Sequence, residues 1–382
     1  MPKLMTLEKK NTASIGYKLR NLDYLLIALV LALSIFGVIA VSSADPSLRS
    51  KQITGVLFCT LLMLVASMFN YHFVLRFWWA AYLLNLVLLI LVLIRGRESH
   101  GAARWLYVGG MSIQPSELAK ILLILFYAQF IMKYREKIKS YVLYPVCLLL
   151  LLIPLYLVYE QPDLSTSVML IVIFAIILYA GGLDGKIVGA ALLIIIPVTI
   201  LMVYTAAAWD THPILDAYQQ RRIKAWLHPE DYAMEEALQT LNSLMAIGSG
   251  QLRGKGINTG EITSVLNGGY ISESETDLIF TVIGEEMGFI GGVFVILLVL
   301  GICIKCLIIA GRSKDLAGRI IASACAGWIG FQGFINIGVA TGVVPNTGIP
   351  LPFVSSGLTS LICTFGAIDI VLNIGLQSKR RY

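Results

Sequence analysis

The chain has 382 residues, of which 57% are hydrophobic and 14% are charged, and its formal net charge is +6. Soluble proteins carry about a quarter charged residues, so this composition excludes an ordinary soluble globular protein and predicts a protein that crosses a membrane several times. Membrane lipids, and not nucleic acid, are therefore the expected surroundings. All six cysteines lie in apolar runs, which favours packing over metal binding or redox chemistry.

Ten apolar stretches approach the length of about 20 residues that a helix needs to cross a bilayer. The sequence therefore predicts an all-α polytopic fold with a single integral membrane domain over residues 1–382. The first stretch lacks a small-residue cleavage pattern, so we expect a permanent span and not a signal peptide. The predicted spans are 24–43, 53–70, 77–94, 115–132, 141–159, 165–182, 186–208, 280–304, 318–342 and 355–376.

Lysine and arginine residues are distributed unequally between the two ends of these spans. If the N-terminus is cytoplasmic, seventeen of them fall in cytoplasmic segments and five in the short external loops. Positive charge accumulates on the cytoplasmic side, so both termini are predicted to be cytoplasmic. The one long loop, residues 209–277, is then predicted to be external, and loops of this length are usually functional or disordered.

Ionisable side chains at lipid depth cost about 2.5–3.5 kcal/mol each, so each needs a partner or a function. Glu117 and Lys120 are three residues apart and share a helix face. They are either a self-neutralising pair between helices or a site where Lys120 meets an anionic group in a wet cavity. Glu285 and Glu286 are expected inside the membrane on span eight, with at least one of them facing water or a cation.

The predicted external loops contain further candidates. In "EQPDLSTS" (160–167), Asp163 is placed to cap the helix that follows. "IGSGQLRGKGINTG" (247–260) combines glycines with Arg253 and Lys255, and free backbone N–H groups with positive charge suit a phosphate.

A Pro/Gly-rich stretch, "ATGVVPNTGIPLPFVSSGLTS" (340–360), cannot form a continuous helix. Irregular backbone at membrane depth survives only where it lines a protein-covered or water-filled cavity. We therefore predict a re-entrant external segment in which Thr347, Ser355 and Ser356 face a polar ligand.

Five blocks of this sequence, in this order, resemble the SEDS family of membrane proteins (RodA, FtsW and SpoVE) over nearly the whole length. The blocks are "RWLYVGGMSIQPSELAKI" (104–121), "EQPDLSTS" (160–167), "SLMAIGSGQLRGKG" (243–256), "ETDLIFTVIGEEMGFIGG" (275–292) and "NTGIPLPFVSSGLTS" (346–360). The sequence departs from the family pattern before Asp277, where Ser272 and Glu275 replace a proline and a histidine.

This resemblance implies a peptidoglycan glycosyltransferase. Such a protein polymerises lipid II, an undecaprenyl-pyrophosphoryl disaccharide-pentapeptide, on the outer face of the bacterial cytoplasmic membrane, together with a class B penicillin-binding protein and other elongation or division machinery. The essential aspartate of the family falls on Asp277 and its loop tryptophan on Trp105. Gln239 and Ser243 are further expected substrate contacts, and we favour a RodA-like role in elongation over division or sporulation.

Glycosyl transfer from a pyrophosphate donor needs a base for the acceptor 4-hydroxyl and positive charge or a metal for the leaving group. Asp277 is placed to be the base, and repulsion from Glu273 and Glu275 favours a raised pKa. A Mg or Mn ion is a possible cofactor. Trp105 is either a sugar-stacking residue or an interfacial anchor. The candidates for binding the pyrophosphate are Lys120, Arg222, Arg253 and Lys255.

Two other classes of function remain open on the sequence. Ten spans, a broken helix and intramembrane charge also describe a lipid-linked sugar flippase or a secondary transporter. A membrane scaffold for a transpeptidase is the other alternative. The grouping of the candidate residues at the predicted external face favours chemistry at that face.

Overall fold

The structure is a computed structural model of the protein. It describes residues 22–99, 102–108, 111–136, 140–209, 212–213, 215, 217–232, 234, 237–258, 264–265 and 268–378. The basic termini (1–21 and 379–382), residues 137–139 and parts of the predicted long loop lie outside the described residues. The predicted orientation, which depends on these basic segments, therefore stays a prediction.

The described part of the chain is mainly helical. The long helices are α1 (Tyr24–Ala44), α2 (Arg49–Ala66), α4 (Trp78–Arg95), α5 (Pro115–Tyr134), α6 (Ser140–Tyr159), α7 (Leu164–Ala180), α8 (Gly185–Ala208), α11 (Ile279–Arg312), α12 (Leu316–Ala340) and α13 (Leu358–Ser378). The shorter ones are α3 (Tyr71–Leu75), α9 (Ala217–Leu227) and α10 (Leu238–Gly250).

Each of the ten predicted spans coincides with one of the ten long helices. Among the described residues, eight of these helices are long and apolar enough to cross a membrane. The other two contribute shorter apolar helices, Leu164–Ala180 and Pro197–Ala208. The expected polytopic helical architecture is therefore confirmed.

The burial of the helices shows which of them form the centre of the bundle. Helices α5 and α13 are buried along most of their length, whereas α2, α4 and α6 leave most of their apolar side chains exposed. An exposed apolar helix face in a polytopic protein is expected to contact lipid. We therefore place α5, α12 and α13 at the centre and α2, α4 and α6 at the lipid boundary.

A small antiparallel sheet, which the sequence analysis did not predict, lies between α4 and α5. It consists of β1 (Arg97–Ser99), β2 (Ala102–Val108) and β3 (Met111–Ile113), in the order β1-β2-β3. Trp105 lies on β2 opposite Arg97, and Leu106 lies opposite Ile113. The sheet satisfies backbone groups at the end of the bundle and holds the residues around Trp105 in fixed positions.

Helix α11 contains a sharp break at Gly288, whose φ of 64° and ψ of −161° are not helical. The break frees backbone groups, and the loop after α10 satisfies them. Phe289 N donates to Gln251 O (2.8 Å), and Lys255 N donates to Glu285 O (2.9 Å). The approach is so close that a Cβ at Gly254 would lie 2.0 Å from Glu286 O, so only glycine fits there.

The break corrects the expectation that Glu285 and Glu286 lie inside the membrane. The helix after Gly288 spans 24 residues to Arg312, which is about 36 Å and is enough to cross a bilayer by itself. The preceding segment, with both glutamates, packs against α10 and reaches Ser43 at the end of α1. The two carboxylates therefore lie at the end of the bundle and not at its middle.

We call this end of the bundle the loop face. It contains α9, α10, the turn before α11, the three-stranded sheet and the segment of residues 343–357 between α12 and α13, which we call the Pro/Gly segment. The Pro/Gly segment is irregular, as predicted, and it packs against α1 so closely that a Cβ at Gly37 would lie 2.6 Å from Val354 Cα.

Candidate active site

Asp277 lies in the turn that precedes α11. The turn is closed by backbone bonds from Thr276 N and Asp277 N to Glu273 O, at 3.2 and 3.1 Å. Glu273 adopts a left-handed φ of 58°, which is costly for a residue with a side chain. Such strain is most common at functional sites, where the surrounding structure enforces it.

The Pro/Gly segment and α12 support this turn from one side. Asn336 Nδ2 donates to Asp277 O and to Ile349 O, both at 2.8 Å. Ser355 Oγ donates to Thr276 O at 2.5 Å and accepts from Leu351 N at 2.8 Å. The position of the Asp277 backbone is therefore fixed by side chains from two other elements.

Ser356 and Gly348 complete the support. Ser356 N donates to Glu275 O at 2.9 Å. Gly348 has a φ of +70°, and a Cβ at this position would lie 3.2 Å from Asp277 Oδ2. The Asp277 carboxylate therefore lies directly against the backbone of the Pro/Gly segment.

The electrostatic surroundings of Asp277 are mixed. The pKa of Asp277 is raised to about 6, chiefly by burial and further by the charges of Glu273 and Glu275. The positive charges of Arg222 and Arg104 act in the opposite direction. Among the described residues, no donor forms a hydrogen bond with the carboxylate, which leaves its oxygens available as a base.

Arg222 and Arg104 reach this region from different elements. Arg222, on α9, donates through Nη1 to Asn346 O at 3.0 Å. Arg104, on β2, donates through Nε to Gln161 O at 3.2 Å and through Nη2 to Pro162 O. The sequence alone points to Arg222 as a candidate but not to Arg104. The one available signal was its place directly before Trp105 in the quoted block.

Gln239 and Ser243 occupy different positions relative to this cluster. Gln239 accepts from Asn346 Nδ2 at 3.2 Å and donates to Ser272 Oγ, so it connects the Pro/Gly segment to the chain before Asp277. Ser243 is fully buried, where its hydroxyl bonds to Ala340 O (2.7 Å) and Thr281. Gln239 therefore borders the site, whereas Ser243 joins helices.

The hydroxyl groups of the Pro/Gly segment do not all face an open site. Ser355 is buried and uses its hydroxyl to hold backbone, which differs from the predicted role as a ligand contact. Thr347 Oγ1 is buried and has no hydrogen-bond partner among the described residues. Ser165 Oγ donates to Thr347 O at 2.8 Å. Thr347 therefore retains a buried hydroxyl with unused bonding capacity.

The structure distinguishes between the two alternatives for Lys120. Lys120 is only 2% exposed and donates to Glu117 Oε1 at 2.6 Å and to Gln332 Oε1 at 3.0 Å. Its Nζ also lies 5.0 Å from the ring centroid of Trp328. Lys120 therefore belongs to a buried ion pair within α5 that also bonds to α12, and it is not placed in a wet cavity.

Lys255 is also paired. Its Nζ lies 2.8 Å from Glu285 Oε1, an atom that accepts from Val265 N at 2.9 Å as well. The carboxylate of Glu286 contacts Ser43 and accepts from Asn258 N at 3.2 Å. These residues hold the loop after α10 against the broken helix, while Arg253 is exposed in the same loop.

Asp163 and Trp105 are the remaining residues that the sequence singled out. Asp163 accepts from Thr166 N (3.1 Å) and Thr166 Oγ1 (2.8 Å), which is the predicted helix cap on α7. Trp105 is half-buried on β2, next to Arg104. Among the described residues, no group of three or more His, Cys, Asp or Glu side chains is arranged to hold a metal ion.

Fold and site together define a polytopic membrane protein in which a carboxylate with a raised pKa and two arginines lie at one end of the helix bundle. A family model described as a cell cycle protein (FtsW, RodA, SpoVE) matches residues 19–380. The chain therefore belongs to the FtsW/RodA/SpoVE family.

Individual proteins of known name agree with this assignment. The chain is 30% identical to "Probable peptidoglycan glycosyltransferase FtsW" of Geobacter metallireducens, over 95% of this chain and 96% of the relative. It is also 30% identical to "Peptidoglycan glycosyltransferase MrdB" of Escherichia coli K12, over 94% and 95%. A chain from a solved peptidoglycan synthase complex, reported for its coordination of polymerization and crosslinking, is similar with a TM-score of 0.76 and 28% identity, over 94% of this chain and 99% of that one.

Proposed function

We propose that this peptidoglycan glycosyltransferase polymerises lipid II and that Asp277 is its catalytic base. Family membership and the curated relatives support the enzyme class. The observation that supports the residue assignment is the Asp277 carboxylate itself, which has a raised pKa, no donor among the described residues and a backbone fixed by Asn336.

In this mechanism Asp277 accepts the proton of the acceptor 4-hydroxyl. The hydroxyl oxygen attacks the anomeric carbon of the donor sugar, a new carbon–oxygen bond forms, and the bond from that carbon to the pyrophosphate oxygen breaks. A base works best when its pKa is close to the working pH, because it must be deprotonated and still bind the proton well. The pKa of Asp277, raised chiefly by burial to about 6, meets both requirements near neutral pH.

The leaving pyrophosphate gains negative charge, and Arg104 and Arg222 are the cations that stabilise it. Both guanidinium groups lower the pKa of the Asp277 carboxylate through their charge, which supports this assignment. Lys120 and Lys255 are less suitable, since Glu117 and Glu285 already neutralise them. Because the described acids do not form a metal site, no step of this mechanism is assigned to a Mg or Mn ion.

The loop face is the external face in this proposal, with both termini in the cytoplasm, as the basic residues predict. Lipid II is then met on the outer side of the cytoplasmic membrane. A class B penicillin-binding protein is the proposed partner, and the similarity to a chain of a synthase complex supports an assembly of this kind. Helix α11 is broken at Gly288, and broken helices are also found in transporters. Transport therefore remains the second candidate function.

The experiment is polymerisation of labelled lipid II by the purified full-length protein, with and without its transpeptidase partner and with and without a chelator. Loss of a general base typically costs a factor of 10² to 10⁴ in rate, so Asp277→Asn should reduce polymer formation by about that factor. The matched control is Asp231→Asn, an exposed acid in the same long loop. Polymerisation by Asp277→Asn at the wild-type rate would exclude the proposed base.

A further inference from the structure

A small cavity beside the candidate active site has no role in the mechanism above. It lies between α9, α10 and the start of the Pro/Gly segment, and its volume is about 80 Å³. Arg222, whose charge lowers the pKa of Asp277, is part of its lining, and so is Asn346, whose backbone O accepts from Arg222 Nη1. The cavity is therefore a neighbour of the reacting groups, and a volume this small admits only a few non-hydrogen atoms.

The apolar part of the cavity is formed by Trp226, Leu241 and neighbouring side chains. Trp226 Nε1 donates to Gly342 O at 3.0 Å, which uses the one polar group of the indole and fixes its orientation. This wall suits a small apolar group such as a methyl.

The polar part of the cavity has both kinds of hydrogen-bonding group. Asn346 Nδ2 donates to Gln239, but Asn346 Oδ1 is buried and accepts no hydrogen bond from the described residues. A buried unsatisfied acceptor is costly, so a donor from a bound molecule would stabilise it. The guanidinium of Arg222 and the hydroxyl of Thr240 are the donors in the lining.

We propose that this cavity binds the acetamido group of the acceptor amino sugar. An acetamido group has one methyl, one N–H donor and one carbonyl acceptor, which match the apolar wall, Asn346 Oδ1 and the hydroxyl of Thr240. The inference rests on the proposed function, because it takes the acceptor sugar of lipid II as the substrate.

The position of the cavity fits the chemistry of the sugar. The acetamido group at C2 and the hydroxyl at C4 lie on the same pyranose ring. Anchoring the first in the cavity would direct the second toward Asp277, and such orientation of a reacting group contributes to catalysis. The subsite therefore positions the acceptor as well as selecting an N-acetylated sugar.

The test compares lipid II with an analogue that has an N-butanoyl group in place of N-acetyl on its terminal sugar. Each methylene that a pocket must reject typically changes kcat/KM by a factor of 10 or more, so the wild-type protein should use the analogue at least about 10-fold less well. Leu241→Ala enlarges the cavity and should bring the two substrates within about 3-fold of each other. Leu238→Ala, one turn earlier on α10 and outside the lining, should keep the wild-type preference.

Equal use of both substrates by the wild-type protein would overturn the subsite while leaving the polymerase function intact. Equal effects of Leu241→Ala and Leu238→Ala would overturn it as well. The Asp277→Asn variant should bind lipid II more tightly than the N-butanoyl analogue, and this preference can be measured without turnover. If the wild-type protein polymerises neither lipid, the proposed function fails and the subsite fails with it.

Discussion

Two aspartates lie at the starts of neighbouring helices, on opposite faces of the bundle. Asp277 lies in the turn before α11 at the loop face, and Asp315 is the N-cap of α12 at the other face. The two residues are of the same type and have nearly the same position relative to a helix. They differ in how many hydrogen-bond donors surround the carboxylate.

The carboxylate of Asp315 is surrounded by donors. It accepts from Gly318 N at 2.7 Å and from Tyr71 OH at 2.8 Å, and it lies 2.7 Å from His72 Nε2. Burial raises the pKa of Asp315, but the hydrogen bonds from His72, Gly318 and Tyr71 outweigh burial and hold the pKa below its ordinary value.

Asp277 has the reverse arrangement. The N-cap of α11 is Leu278, so the Asp277 carboxylate does not cap the helix, and burial dominates its pKa. Hydrogen bonds stabilise the charged form of a carboxylate and reduce its basicity, whereas burial without them preserves basicity. The surroundings of Asp315 therefore suit a stabilising role, whereas those of Asp277 are consistent with the proposed role as a base.

After Asp277→Asn itself, the largest effect is expected when the positive charge near Asp277 is removed. Arg104→Gln should lower kcat by a factor of about 10² to 10³, because a preorganised donor to the leaving group is lost. Arg104→Lys should recover part of this activity. Arg95→Gln, at the exposed end of α4, is the matched control, and an equal loss in this control would contradict a local role for Arg104.

Asp315→Asn should lower stability and leave catalysis nearly unchanged, which distinguishes Asp315 from Asp277. The substitution should lower the free energy of unfolding by about 2–3 kcal/mol, since hydrogen bonds to a charged group are lost. The polymerisation rate of the folded fraction should stay within about 3-fold of wild type. Thermal unfolding in detergent measures the first quantity, and an undiminished melting temperature would contradict the structural role.

The Asp315 carboxylate also makes the stability of the protein depend on pH. Because the pKa of Asp315 is lower in the folded than in the unfolded protein, its contribution is present above the ordinary value of 3.8 and is lost as pH falls below it. Asp315→Asn should remove this part of the acid sensitivity.

The smallest effect concerns the pH dependence of catalysis. A base must be deprotonated to act, so kcat/KM should rise with pH, with a midpoint of about 6, and then level off. In Glu273→Gln the midpoint should move to lower pH, because a like charge that raises the pKa of Asp277 is removed. An unchanged midpoint in Glu273→Gln would mean that another group is responsible for the titration.

Much of the fold could be predicted because its signal is local. A run of about 20 apolar residues identifies a span by itself, and all ten predicted spans have a matching helix. Asp163 shows the same principle, since its capping role depends on a residue only three positions away. The sheet containing Trp105 was missed because two of its three strands have only three residues each.

The errors arose where distant segments meet. The position of Glu285 at the end of the bundle could not be predicted because Gly288 breaks the helix, and that break is stable only when the loop after α10 supplies hydrogen bonds. Arg104 was missed for the same reason, because its nearness to Asp277 depends on how β2 packs.

The sequence by itself determined the class of the protein, the places of its ten long helices and, through the resemblance of its motifs, the candidate base Asp277. Only the tertiary structure decided which charges are neutralised within the bundle and which remain near that base. Burial and hydrogen bonding set the properties of a charged group, and both depend on contacts between residues that are far apart in the chain.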